Sequence, residues 1–153
     1  MTIECRILFR DVLHEVGLRS AYIGVRSKSG LTYDDVLVAD SDQSWFATWF
    51  VETCHAVFPL LQRCADGGCS QTLLYDGDVL DGVEYVFDMP SNFDVSVEDA
   101  IGGVLRGLFV ERMCRAWLSL PSGGEGALSV GDLPERQIGL LRQLLLSRRR
   151  PER

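Results

Sequence analysis

The chain has 153 residues, a net charge of −7 and a hydrophobic fraction of 46%. That length suits one domain with a core of its own, and the apolar content excludes a disordered chain. No run approaches the ~18 consecutive apolar residues of a membrane helix, and the opening MTIECRILFRDVLHE meets charge too early for an export signal, so a cytoplasmic location is expected.

The charges are unevenly placed. Residues 1–30 carry five basic and three acidic side chains, a balance of +2. Residues 31–99 carry fourteen acids and only Arg63, a balance of −13, while residues 100–153 carry nine arginines and five acids, a balance of +4. Lys28 is the only lysine. Arginine makes forked contacts with carboxylates and phosphates, where lysine acts as a point charge. An acidic middle and arginine-rich ends suit pairing within one molecule or between neighbours, or simply solvated faces with no partner.

Taken in order, TIECRILF alternates like a strand, yet residues 6–16 also place Phe9, Val12, Leu13 and Val16 on one helical stripe. Gly17 is positioned to end that helix, and Leu18, Ala21, Tyr22 and Val25 resume the spacing. SKSG at 27–30 is a loop. Thr32 with Asp35 has capping-box spacing before a short helix over 33–39, and Asp40, Ser41 and Asp42 supply a second start signal. The following segment, SWFATWFVETCHAVFPLLQRC, predicts the longest helix, with a wide apolar arc and a kink near Cys54–Pro59. Trp45, Phe46, Trp49 and Phe50 read as core, and the width of the arc leaves room for one tryptophan at a subunit contact.

Residues 70–76 and 83–89 predict two strands. Asp76-Gly77 and Asp81-Gly82 are both turn dipeptides, and either fits the tight turn. MPSNFD, residues 89–94, stops the second strand at Pro90 and offers Ser91, Asn92 and Asp94 as caps, with Ser96 and Asp99 spaced as a capping box. A long stripe from Val97 to Leu120 then predicts a helix, in which Gly103 and Gly107 suggest the close approach of another helix. PSGGEG is flexible, and Asp132, Pro134 and Glu135 start a last helix that ends in SRRRPER.

Little here speaks for a reaction. Asp76, Asp78 and Asp81 resemble part of a calcium loop, but counting from Asp76 puts Leu80 at position 5 and Phe87 at position 12, where acids are required. Cys64 and Cys69 lack a second ligand pair for zinc. Five loosely spaced cysteines without an export signal do not form a disulfide framework, and each defaults to a small buried hydrophobe. Cys54 and His55 are helix neighbours whose side chains diverge, so they make no nucleophile–base pair, and His14 could approach Cys54 only through the fold. RRRPER could touch phosphate, but the overall acidity opposes a dedicated nucleic-acid binder. No cofactor is called for, and the reading is non-enzymatic.

The order of features carries a resemblance. TYDDVLVADSD leads into an aromatic helix, a hairpin and the MPSNFD joint follow, and then come a helix ending in RAWLSL and a proline-arginine tail. With Pro90, Asn92 and Phe93 followed by Trp117 as its anchor, this resembles an uncharacterised family of small proteins encoded in prophage-like structural regions of Bacteroidales bacteria. The resemblance implies a virion-assembly part, such as a head-completion, neck or tail-completion adaptor. Its partners would be copies of itself and other assembly proteins, with nucleic acid touched only through the arginine tail and no membrane. Head-to-tail rings need two complementary patches; the candidates are Asp76, Asp78, Asp81 and Glu84 on one side and Arg148, Arg149 and Arg150 on the other, with Trp45 and Trp49 as further interface candidates. A cytoplasmic module binding protein or nucleic acid for regulation is the alternative.

The expected fold is mainly helical, α+β: a bundle of four to five helices with one two-stranded antiparallel hairpin between the long central helices. The domain spans residues 1–120 with the hairpin at about 70–89, followed by a flexible glycine-rich linker at 121–131. The C-terminal helix and basic tail, 132–153, belong to the same domain.

Overall fold

The computed structural model describes residues 1–26, 43–119 and 133–149. The expected loop at 27–30, the helix over 33–39 with its capping box, the start signal at 40–42, the linker 121–131 and Arg150 lie outside the described residues.

The chain opens on a strand, β1 (Thr2–Leu8), which runs directly into helix α1 (Phe9–Arg26). Helix α2 (Gln43–Cys64) leads through a turn into the strands β2 (Cys69–Asp76) and β3 (Val79–Asp88). A single 3-10 turn, Val95–Val97, precedes α3 (Glu98–Ser119), and α4 (Glu135–Leu145) follows. The three strands form one antiparallel sheet in the order β1–β3–β2. This corrects the expected two-stranded hairpin between helices. Ile3, Cys5 and Ile7 are buried while Thr2, Glu4 and Arg6 are exposed, a period of two that only extended backbone can satisfy. An isolated hairpin is marginal in water, and β1 supplies the third strand by pairing along β3 from Thr2↔Asp88 to Leu8↔Gly82. The helical stripe therefore begins at Phe9 and not at Arg6. It also passes through Gly17 to Arg26 without stopping.

The hairpin register is now fixed. Asp76 pairs with Val79 across the two-residue turn Gly77–Asp78, and Gly77 takes the positive φ of +62° that such a turn demands. Asp81-Gly82 forms a bulge instead. Leu74 pairs with Gly82 and Tyr75 with Leu80, so Asp81 is the extra residue of β3.

One face of the sheet joins the core. Ile3 lies opposite Phe87, Cys5 opposite Tyr85 and Ile7 opposite Val83, all buried. The helices supply the other side. Phe50 packs against Phe9 and Phe109 at ring-centroid distances of 5.5 and 4.9 Å, and Phe46 meets Trp117 at 5.3 Å. The α3 stripe of Ile101, Leu105, Leu108, Phe109, Met113 and Ala116 is buried along its length. Each large apolar side chain so buried stabilises the fold by about 1.5–3 kcal/mol against remaining exposed. Helix α2 is one continuous element through Pro59.

Arg112 was not anticipated as a core residue, yet it is 1% exposed. Its Nη1 donates to Thr53 Oγ1 at 3.0 Å, and that hydroxyl donates to the Trp49 carbonyl at 2.7 Å. The pair ties α3 to α2 through polar groups that would be costly to bury alone. The signal was in the spacing: Arg112 lies four residues from both Leu108 and Ala116, on the buried stripe.

Gly103 and Gly107 behave otherwise than expected. Nothing described lies within 4 Å of a Cβ built at either position, so no described helix requires them. Gly103→Ala and Gly107→Ala are each expected to raise stability by about 0.5–1 kcal/mol through helix propensity. The urea midpoint reads this directly, and a lowered midpoint would mean that another element does pack there.

Candidate interaction surface

Three of the exposed large apolar residues lie on the hairpin tip and at the start of α2, while others, Leu18, Leu140 and Leu146 among them, lie on α1 and α4 or just after it. Tyr75 is 55% exposed, Val79 69% and Trp45 56%. An open groove of about 400 Å³ is lined by Ala47, Thr48, Val51 and Glu52 of α2 and by Tyr75, Asp78 and Leu80 of the hairpin. Helical spacing explains the α2 side. Residues 46, 49, 50, 53, 54 and 57 turn into the core, which leaves 47, 48, 51 and 52 on the outward arc. The two-residue turn at Gly77–Asp78 brings Asp78 to the rim. Trp45 and Trp49 separate in role: Trp49 is buried, while Trp45 stays largely in solvent with its ring 6.1 Å from that of Trp49.

The carboxylates here lack close ion-pair partners among the described residues, though Asp81 acts through space on Arg6. Glu52, Asp76, Asp78 and Asp81 are exposed and make no ion pair with any described residue. Glu84 differs. It sits on the sheet face turned away from the core and accepts from Arg6 at 2.8 Å.

The arginine tail is also engaged within its own chain. Arg148 Nη2 donates to Asp66 Oδ2 at 2.6 Å, and its Nη1 donates to the carbonyls of Leu145 and Ser147 at the end of α4. The tail runs beside the MPSNFD joint. Phe93 bridges to Arg148, the Arg149 N–H donates to the Asn92 carbonyl at 2.8 Å, and the Asp94 N–H donates to the Ser147 carbonyl at 3.4 Å. The joint itself is a turn in which the Phe93 N–H donates to the Pro90 carbonyl, with Phe93 fully buried. Asp94 is the residue that caps, accepting from Ser96 N and Ser96 Oγ at 3.1 and 2.7 Å. Those bonds hold its carboxyl below the usual carboxylate range, the side-chain bond contributing most.

The titratable cluster inside the fold is of another kind. Cys5 and Tyr85 face each other across β1 and β3, and Cys54 of α2 lies beside the Tyr85 hydroxyl. Burial pushes the Cys54 thiol up to about 12 and those of Cys5 and Cys114 to about 11. Burial likewise raises Cys69 to about 12 and lifts the Tyr85 phenol well above its ordinary value. Such thiols are protonated and poor nucleophiles. His55 is exposed on the next position of α2 while Cys54 is fully buried. No group of three metal-ligating side chains occurs among the described residues, and no described helix is long and apolar enough to cross a membrane.

The native protein should therefore leave Cys5, Cys54 and Cys114 unmodified by an aromatic disulfide reagent at pH 8, with full reaction only after denaturation. Alkaline stability follows with a definite sign. Between the unfolded value near 9 and the native values, the unfolded chain has lost protons that the native thiols keep. Stability then falls as pH rises above about 9, by about 1 kcal/mol per pH unit for each such thiol. A flat urea midpoint from pH 8 to 10.5 would contradict the burial.

The chain matches no protein-family model, no curated protein and no solved structure.

Proposed function

We propose that this chain is a non-enzymatic structural or assembly component of phage or prophage origin, an adaptor working through protein–protein contacts. The observation that carries the reading is the hairpin tip, where exposed Tyr75 and Val79 lie beside the carboxylates of Asp76 and Asp78, which make no ion pair with a described residue, next to a groove that Glu52 also lines. Exposed aromatics are enriched at the cores of interfaces, and charge belongs to their polar rim. The resemblance in the order of elements supports the phage context, and the segregated charge supports heterologous contacts between copies. Arg148 and Glu84 are spoken for inside the chain, so of the acidic candidates those at the hairpin tip, Asp76 and Asp78, carry such a contact.

The test is the mass of the purified protein by light scattering after size exclusion, at low and high salt. A mass several times the 17.1 kDa of one chain, falling in high salt, is the expected result, because exposed ion pairs are screened. A single-chain mass at every salt and concentration would overturn self-assembly.

A further inference from the structure

We infer that the groove between α2 and the hairpin tip holds one apolar side chain of a partner protein flanked by arginine or lysine. This rests on the reading of the hairpin tip as an interface and adds the chemistry of what binds there. The walls come from Ala47, Val51, Tyr75 and Leu80, which offer apolar surface and one aromatic face. Glu52 and Asp78 add one carboxylate to each wall, and neither meets a described cation. Two carboxylates facing solvent on opposite sides of an apolar floor repel an acidic partner and leave a neutral one without compensation for their partial desolvation. A cation on either side of an apolar side chain satisfies both. Tyr75, 55% exposed at the rim, adds a ring on which a guanidinium can stack. The volume of about 400 Å³ admits one large side chain and its neighbours, and is too small for a helix laid along its whole length.

The test is a fluorescence-anisotropy titration of the full chain with three labelled peptides: one carrying leucine between arginines, one with glutamates in place of those arginines, and one with the sequence of residues 147–153. Saturable binding of the first alone, weakened about tenfold or more in the Glu52→Gln/Asp78→Asn double variant and in Tyr75→Ser, is the expected result; tenfold corresponds to about 1.4 kcal/mol. All three substituted side chains are exposed or at a rim, so the variants fold, and circular dichroism verifies it. Binding that survives the double substitution, or no saturation of the first peptide up to about 1 mM, overturns the proposal. Equal binding of the tail peptide, which carries arginines but no large apolar side chain, overturns its apolar half. The outcome is separable from that of the mass measurement: an oligomer that ignores the peptide keeps the assembly reading and loses the groove, whereas a monomer that binds it does the reverse.

Discussion

Gly82→Ala is expected to lower stability by about 3 kcal/mol, one of the two largest effects foreseen for a single substitution in this chain. A Cβ at Gly82 would lie 2.3 Å from the Ile7 carbonyl oxygen, with Leu8 Cα at 3.1 Å. These are backbone atoms, so no change of rotamer relieves the overlap. Either β1 moves off the sheet or the bulge at Leu74/Tyr75 is lost, and both give up ladder hydrogen bonds between strands that bury Ile7 and Val83. The same substitution at Gly103 carries the opposite sign, which makes the pair a control against any generic effect of replacing glycine. Urea denaturation with a common slope measures both. A Gly82→Ala protein as stable as its parent would mean that β1 does not pair with β3 in this register.

How much of this was legible depended on whether a residue's neighbours in space are also neighbours in sequence. The α2 and α3 stripes were readable, because helical burial repeats over 3 to 4 residues: Phe46, Phe50, Val57 and Leu61 on one helix, Ile101, Leu105 and Leu108 on the other, are buried where their spacing puts them. The β1 strand was present as alternation in TIECRIL but overlapped a helical pattern from Arg6, and only pairing with β3, some 80 residues away, decides between them. Gly82 gave a real signal, a glycine within a strand, that points equally to a turn or a bulge. The interface candidates divided for the same reason. Asp76 and Asp78 sit at the tip of a local hairpin, where a short-range pattern suffices to place them in solvent. Arg148 finds Asp66 across 82 residues, a pairing that no local pattern encodes, and the groove joins α2 to the far tip of the hairpin that follows it. Trp45 and Trp49, four residues apart, could not be told apart by period alone, since the edge of an apolar arc is where one of them leaves the core.

Phe93→Ala is expected to cost about 3–5 kcal/mol, the range for removing a large aromatic from a closed core. Phe93 is 0% exposed, although Ser91 and Asn92 on the same turn are in solvent. Its own N–H is held by the Pro90 carbonyl, and the residues on either side bond the tail: Asn92 through its carbonyl to Arg149, Asp94 through its N–H to Ser147. The ring therefore anchors a junction in which the end of β3, the start of α3 and the residues after α4 meet. Removing it leaves a cavity and also loosens the seat of Arg148, whose bond to Asp66 depends on the tail lying there. Ser91→Ala and Asn92→Ala, by contrast, should each cost about 1 kcal/mol or less, since both side chains are exposed and the Asn92 bond is made by backbone that alanine retains. Denaturation midpoints of the three variants decide between an anchored joint and a polar loop. A small loss for Phe93→Ala with a large one for Asn92→Ala would show that the side chains of the turn, and not its buried ring, hold the three elements together.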